Sequence, residues 1–147
     1  MRLEICSRQA VLALFAHAFP KNAAVISFYT PHKSERVDYV GVCERVFYVP
    51  VPDIDRRLLG AYGYTEESYL AEADALAAFI DRAVAEGVPI VCQCDFGQSR
   101  SAACAAAILQ HFEGRGIDVF ADERYYPNQL VYHKVYAALA KRKGEGK

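Results

Sequence analysis

A short apolar strand candidate at residues 89–93 is followed, after one short loop, by a small-residue helix, and this pair limits the possible folds. Residues 89–93, PIVCQ, would present apolar side chains on both faces of a strand, which is typical of a central strand covered on both sides. Residues 101–112, SAACAAAILQHF, have a helical composition with small side chains that allow close packing on a sheet. A buried strand followed by a closely packed helix is one unit of an α/β fold.

Elements before and after this pair alternate in the same way. The sequence predicts further strands at residues 2–6, 22–30 and 44–51, and further helices at residues 8–19, 66–87 and from Asn128 onward. Ser7 and Thr65 are suitable N-cap residues, Gly87 is a suitable helix terminator, and Asn128 is a suitable cap for the last helix. The segment 52–64 has two aspartates and two glycines and is predicted to be an exposed loop.

This alternation predicts an α/β fold with a central, mostly parallel, twisted sheet of about four to five strands flanked by helices. We expect residues 1–147 to form a single domain, with residues 141–147 as a frayed tail. In such sheets, ligands bind at the carboxyl ends of the strands, where loops lead into helices. The loop after residues 89–93 lies at such a place.

Composition excludes several classes of function. The chain has 147 residues and a formal net charge of -1, so no overall field attracts nucleic acid or an anionic membrane. No segment has the length of apolar sequence that a membrane span needs. The chain has five cysteines, an odd number, and no two of them form a CxxC motif. This pattern favours reduced thiols in the cytoplasm over a set of disulfides. The four histidines have no ligand-like spacing with the cysteines, so we expect no metal site and no cofactor.

The loop itself, CDFGQSRS at residues 94–101, has the composition of an anion site. Backbone N–H groups in front of a helix N-terminus lack intrahelical partners and lie at the positive end of the helix dipole. Gly97 allows the backbone angles that a cradle of such N–H groups needs, and Arg100 adds a guanidinium that matches two phosphate oxygens. We therefore expect a phosphate to be bound by the loop residues Asp95, Phe96, Gly97, Gln98, Ser99 and Arg100.

Cys94 stands at the start of this loop, where the same field stabilises a thiolate. A thiolate that faces a bound phosphate can attack phosphorus and form a phosphocysteine intermediate. The neighbouring hydroxyl of Ser101 is placed to donate a hydrogen bond to the sulfur when it leaves. The spacing therefore predicts a nucleophile, an oxyanion cradle and a guanidinium around one tetrahedral anion.

The stretch CDFGQSRS resembles the Cys-x5-Arg-Ser signature of the protein tyrosine phosphatase superfamily, particularly its compact dual-specificity branch. The segments AVISFYTP, VFYVPVPDID, FIDRAVAEGVPIV and YYPN follow in the order expected of such small phosphatases. The resemblance implies a phosphatase-type fold and a phosphomonoester hydrolase, with Cys94 as nucleophile, Arg100 and the loop amides as phosphate binders, and Ser101 as an aid to thiolate departure. It also implies an aspartate general acid on an upstream loop.

The segment VPVPDID offers two candidates for this acid, Asp53 and Asp55. A positioned acid protonates the departing oxygen and then activates water for the second step. Asp53 directly follows the predicted third strand and is the favoured candidate, with Asp55 as the alternative. The chain departs from the family pattern at Gln93, which stands where the family usually has histidine before the nucleophile.

The sequence therefore predicts a tyrosine or dual-specificity phosphatase that acts on a phosphorylated protein or a small aryl phosphomonoester, and that binds phosphate or sulfate in its loop. Gln93 motivates one alternative, a phosphatase-like module that binds phosphate without turnover. A rhodanese-like sulfurtransferase also uses a thiolate in an anion-cradling loop and is the second alternative. Gly97, the Ser99–Ser101 triplet and the upstream aspartates favour the phosphatase over the sulfurtransferase.

Overall fold

The computed structural model describes residues 1–20 and 22–145 and has a parallel sheet at its centre. The four strands are β1 (Leu3–Cys6), β2 (Ala24–Tyr29), β3 (Arg45–Pro50) and β4 (Ile90–Gln93). Their spatial order is β1-β4-β2-β3, and every neighbouring pair is parallel. The predicted α/β fold with a mostly parallel sheet of about four to five strands is confirmed, with four strands in the described residues, and the segment at residues 89–93 forms a central strand.

Helices cover both faces of this sheet. They are α1 (Arg8–Phe15), α2 (Ala73–Glu86), α3 (Arg100–Glu113), α4 (Ile117–Phe120) and α5 (Gln129–Glu145). On one face, Val25 and Val91 pack with Val11 of α1. On the other face, Ile26 and Cys92 pack in the main core, to which α2, α3 and α5 contribute. Because successive residues of β2 and β4 alternate between two buried layers, the strands are apolar throughout.

The small side chains of α3 explain how its N-terminus reaches the sheet edge. Residues 102–107 of α3 are alanines apart from Cys104, and all of them are buried. Such a surface lets the helix axis lie close to β4 and to α5. The first turn of α3 is thereby fixed at the carboxyl end of β4, directly after the loop that starts at Cys94.

Two predicted helices are shorter than the sequence pattern indicated. The first ends at Phe15 rather than at residue 19, although Ser7 is its N-cap as predicted and accepts a hydrogen bond from the Ala10 N–H at 3.0 Å. The second begins at Ala73, and the prediction of Thr65 as its N-cap is wrong. Leu70 adopts a left-handed backbone (φ 52°) and is buried in the main core, so tertiary packing interrupts the helical pattern before residue 73.

The last helix begins as predicted. The Asn128 side chain caps α5, since its Oδ1 accepts a hydrogen bond from the Val131 N–H at 3.0 Å. Residues 141–145 continue α5, while Gly146 and Lys147 of the predicted frayed tail lie outside the described residues. Among the helices that the structure describes, none is both long enough and apolar enough to cross a membrane.

Gly97 lies where the loop before α3 meets the connection between β1 and α1. Its φ is +69°, in the left-handed region that favours glycine. A Cβ at this position would lie 2.6 Å from the Ser7 backbone nitrogen and 2.9 Å from the Cys6 carbonyl carbon. Because both atoms belong to the backbone, neither can move aside as a side chain can. The loop therefore needs glycine for its conformation and for its close approach to β1.

We predict that Gly97→Ala destabilises the protein more than Gly114→Ala. Gly114 has a similar φ of +66°, but a Cβ there would have no described atom within 4 Å. The Gly114→Ala variant therefore reports the backbone strain alone. We expect a loss of about 1 kcal/mol in the unfolding free energy for Gly114→Ala. The clash should add about 2 kcal/mol for Gly97→Ala. Urea unfolding of the two variants checks this, and equal losses would contradict it.

Candidate active site

The loop between β4 and α3 presents a set of unpaired backbone donors. The Cys94 N–H is bonded to the Cys6 carbonyl at 3.2 Å, which ties the start of the loop to β1. Across the described ranges, the following N–H groups have no acceptor: Asp95, Phe96, Gln98, Ser99 and Arg100. N–H groups without partners in front of a helix are the donors that an oxyanion satisfies. The predicted phosphate-binding residues therefore supply backbone groups of the required kind.

The Cys94 side chain lies inside this loop with only 2% of its surface exposed. Its Sγ accepts a hydrogen bond from the Gly97 N–H at 3.3 Å and lies 3.0 Å from Ser101 Oγ. Ser101 is fully buried in the first turn of α3. The structure therefore brings together Cys94 and Ser101, as the sequence predicts, and gives the sulfur two neighbours that can donate to it.

Arg100 is held at three points around the same loop. Its Nη1 donates to the Val51 carbonyl at 2.6 Å and to Thr30 Oγ1 at 3.0 Å, and its Nη2 donates to Asp95 Oδ2 at 3.2 Å. A guanidinium has five N–H donors, so these contacts leave Nε–H and one Nη2–H. Nε is buried and has no partner among the described residues. Donors on adjacent nitrogens of a guanidinium can bind two oxygens of one phosphate.

Asp53 contacts the loop through Ser99. Its Oδ1 accepts hydrogen bonds from Ser99 Oγ and from Asn128 Nδ2, both at 2.7 Å. Asn128 Nδ2 also donates to the Ile54 carbonyl at 3.0 Å, so this buried amide binds both the Asp53 carboxylate and the backbone of the next residue. Oδ2 of Asp53 accepts no hydrogen bond from the described residues.

Asp55 has a different role. It caps the turn Arg56–Leu58, accepts a hydrogen bond from the Arg57 N–H at 2.9 Å, and forms an exposed ion pair with the Arg57 guanidinium. These contacts lower the pKa of Asp55 below its ordinary value, chiefly through the hydrogen bond with the Arg57 side chain. Of the two candidate acids, the structure brings only Asp53 into contact with the loop.

Gln93, the residue before the nucleophile, is part of a buried polar cluster under the loop. Its Oε1 accepts hydrogen bonds from Ser27 Oγ at 2.5 Å and from the Tyr39 hydroxyl at 2.9 Å. Burial raises the pKa of Tyr39 well above its usual range, so the phenol stays protonated and remains a donor. Gln93 is thus an uncharged side chain held in place by two hydrogen bonds, one from β2 and one from the segment 30–44.

Several contacts of this site were not found from the sequence. Asn128 was predicted only as a helix cap, and Thr30 and Val51 had no predicted role. These partners lie 70 and 49 residues from Arg100, and Asn128 lies 75 residues from Asp53, so no local pattern signals them. Within residues 1–20 and 22–145, no group of three or more His, Cys, Asp or Glu side chains is placed to hold a metal ion.

Two of the predicted phosphate-binding residues have side chains that cannot bind phosphate themselves. Phe96 is apolar and 81% exposed, and Asp95 is acidic and paired with Arg100. For these positions the backbone N–H is the group available to an anion. The prediction of a binding role therefore concerns the backbone at Phe96 and Asp95, not their side chains.

Comparison with known proteins gives matches among solved structures. No protein-family model and no curated protein matches this chain. A structure of Tk-PTP in the active form is 17% identical with a TM-score of 0.65, covering 97% of this chain and 93% of that one. Human DUSP28 is 21% identical with a TM-score of 0.60, covering 97% and 94%. A mouse putative dual specificity phosphatase complexed with zinc tungstate is 20% identical with a TM-score of 0.60, covering 98% and 86%.

At these identities the likeness concerns the fold. It extends over nearly the whole of this chain and of each matched chain. The resemblance noted in the sequence is confirmed at this level. The chain therefore has the fold of the phosphatase structures that it matches.

Proposed function

We propose that this protein is a metal-independent, cysteine-dependent phosphomonoester hydrolase of the tyrosine or dual-specificity type. The observation that carries the proposal is the environment of Cys94 Sγ. It lies in a loop with unpaired N–H groups, beside an arginine whose Nε–H is buried without a partner. A tetrahedral oxyanion satisfies these donors and places its central atom in front of the sulfur.

In the first step, the Cys94 thiolate attacks the phosphorus of the bound monoester. An S–P bond forms, and the P–O bond to the leaving group breaks. Asp53 transfers the proton on its Oδ2 to the departing oxygen, because Oδ1 is already engaged by Ser99 and Asn128. Arg100 and the loop N–H groups stabilise the charge on the three equatorial oxygens.

In the second step, water replaces the leaving group. The Asp53 carboxylate accepts a proton from this water, whose oxygen attacks phosphorus while the S–P bond breaks. Ser101 Oγ, 3.0 Å from Sγ, donates a hydrogen bond to the departing thiolate. Inorganic phosphate leaves, and Cys94 and Asp53 return to their starting forms.

We propose a phosphorylated protein or a small aryl phosphomonoester as the substrate. The rim of the loop supports this, since Phe96 and Tyr126 are 81% and 73% exposed and the Tyr126 N–H is bonded to the Gln98 carbonyl at 2.8 Å. Exposed aromatic rings beside the phosphate loop suit an aromatic ester. The tungstate bound to a protein of the same fold is a tetrahedral oxyanion of the kind proposed here.

We also propose that residues 1–147 act as a single domain. We propose that the protein acts in the cytoplasm, because its five cysteines are all free thiols.

Removal of the nucleophile and of the acid tests this function. We expect Cys94→Ser to lower the hydrolysis of para-nitrophenyl phosphate by at least about 1,000-fold, because an alcohol in this position is not ionised. Asp53→Asn should lower kcat by about 100-fold, because an amide cannot donate the proton. Turnover is measured with a reductant and a metal chelator across the mildly acidic to neutral pH range, with binding of phosphate or vanadate measured in parallel.

The matched control for Asp53→Asn is Asp55→Asn, which removes the nearby exposed carboxylate and should leave turnover within about twofold of the wild type. Full activity in Cys94→Ser would contradict the proposal. Binding of phosphate by the wild type without any turnover would identify the protein as a phosphate-binding module. Transfer of sulfur from thiosulfate to Cys94 would identify it as a sulfurtransferase.

A second test concerns the amide that holds Asp53. Asn128→Asp keeps an N-cap for α5 but replaces the donor to Asp53 by a carboxylate. We expect kcat to fall about 10- to 100-fold, since the acid loses its position. The loss should be larger with phenyl phosphate than with para-nitrophenyl phosphate, because the poorer leaving group depends more on protonation.

Gln129→Glu is the matched control for this variant. It adds the same charge at an exposed position one residue further along α5. An equal loss with both substrates in Asn128→Asp, or a similar loss in Gln129→Glu, would show that the amide does not position the acid.

A further inference from the structure

Asp95 is an acidic side chain inside the proposed anion site. Its Oδ2 lies 3.2 Å from Arg100 Nη2 and accepts a hydrogen bond from Ser34 Oγ at 3.4 Å. Its Oδ1 is buried, has no hydrogen-bond partner among the described residues, and lies 3.6 Å from Arg8 Nε. A carboxylate therefore stands between two arginines, one in α1 and one in α3.

The two ion pairs of Asp95 differ in strength. The Arg100 side chain is 5% exposed, so its contact with Asp95 is poorly screened by water. The Arg8 side chain is 32% exposed, and its contact with Asp95 is longer. Asp95 thus acts mainly on Arg100. It orients one Nη2–H of the guanidinium, and it opposes the positive charge that an incoming oxyanion meets.

The opposing charge makes Asp95 different from the other partners of Arg100. Val51 and Thr30 also hold the guanidinium, but they are neutral acceptors. A neutral residue at position 95 could orient Nη2 as well. What only an acid supplies is repulsion of the ligand, and this repulsion grows with the charge of the anion.

We propose that Asp95 is a specificity-determining residue that restricts the loop to singly phosphorylated groups of low charge. The inference rests on the proposed function, since it concerns the same anion site. The carboxylate lowers the affinity for every oxyanion, and it lowers it most for polyphosphates and for esters with further phosphate groups nearby. Substrates with one phosphate on a weakly charged carrier, such as an aryl ester or a phosphorylated side chain, lose least.

Asp95→Asn tests this inference because asparagine keeps the shape and an oxygen acceptor for Arg100 Nη2. Binding of inorganic phosphate and of pyrophosphate is measured by titration calorimetry at about pH 8. We expect about tenfold tighter binding of phosphate and a larger gain, up to about a hundredfold, for pyrophosphate. The gains should shrink as salt is added. Asp81→Asn, which changes the net charge equally at a carboxylate paired with Arg142 on α5, should change neither affinity.

The outcomes separate this inference from the proposed function. If Asp95→Asn binds both anions as the wild type does, or more weakly, then Asp95 only orients Arg100 and the inference is wrong. Equal gains for phosphate and pyrophosphate would also overturn it, because a charge effect must depend on ligand charge. If the wild type and Asp95→Asn both fail to bind phosphate and the wild type fails to hydrolyse aryl phosphates, the anion site itself is refuted and the proposed function with it.

Discussion

The guanidinium of Arg100 holds the site together. Through Thr30, Val51 and Asp95 it bonds to the segments that follow β2, β3 and β4, so one buried side chain ties three strand ends to the first turn of α3. These contacts use three of its five donors and leave donors on Nε and Nη2. The same residue therefore ties the carboxyl edge of the sheet together and keeps donors for the proposed anion.

Around this arginine, the other groups come from separate parts of the chain. Cys94 lies at the start of the loop, and Ser101 lies just after it in the first turn of α3. Asp53 lies on the segment after β3 and accepts a hydrogen bond from Asn128, which caps α5. Parallel topology makes this convergence possible, because all four strands end at the same edge. Gly97 then lets the loop approach β1 so closely that no larger residue fits.

The sequence predicted the parts of this site that depend on local order. A buried strand, a loop with glycine and a small-residue helix are neighbours in the chain, so Cys94, Ser101 and the loop donors follow from one stretch of residues. The contacts of Asp53 with Asn128, and of Gln93 with Tyr39, depend on tertiary packing and leave no trace in spacing. The prediction that α2 starts at residue 66 was wrong for a similar reason. Leu70 is buried in a left-handed conformation, and this tertiary packing outweighs the helical pattern around it.

In the proposed reaction, Cys94 carries the phosphoryl group between the two steps. The most direct measurement is rapid mixing of the wild-type protein with an aryl phosphate, followed by a quench within milliseconds, proteolysis and mass spectrometry. We expect a transient adduct with the mass of one phosphoryl group on the peptide that contains Cys94, and specifically on its sulfur. Steady hydrolysis without an adduct at any time, or with the phosphoryl group on another residue, would contradict it.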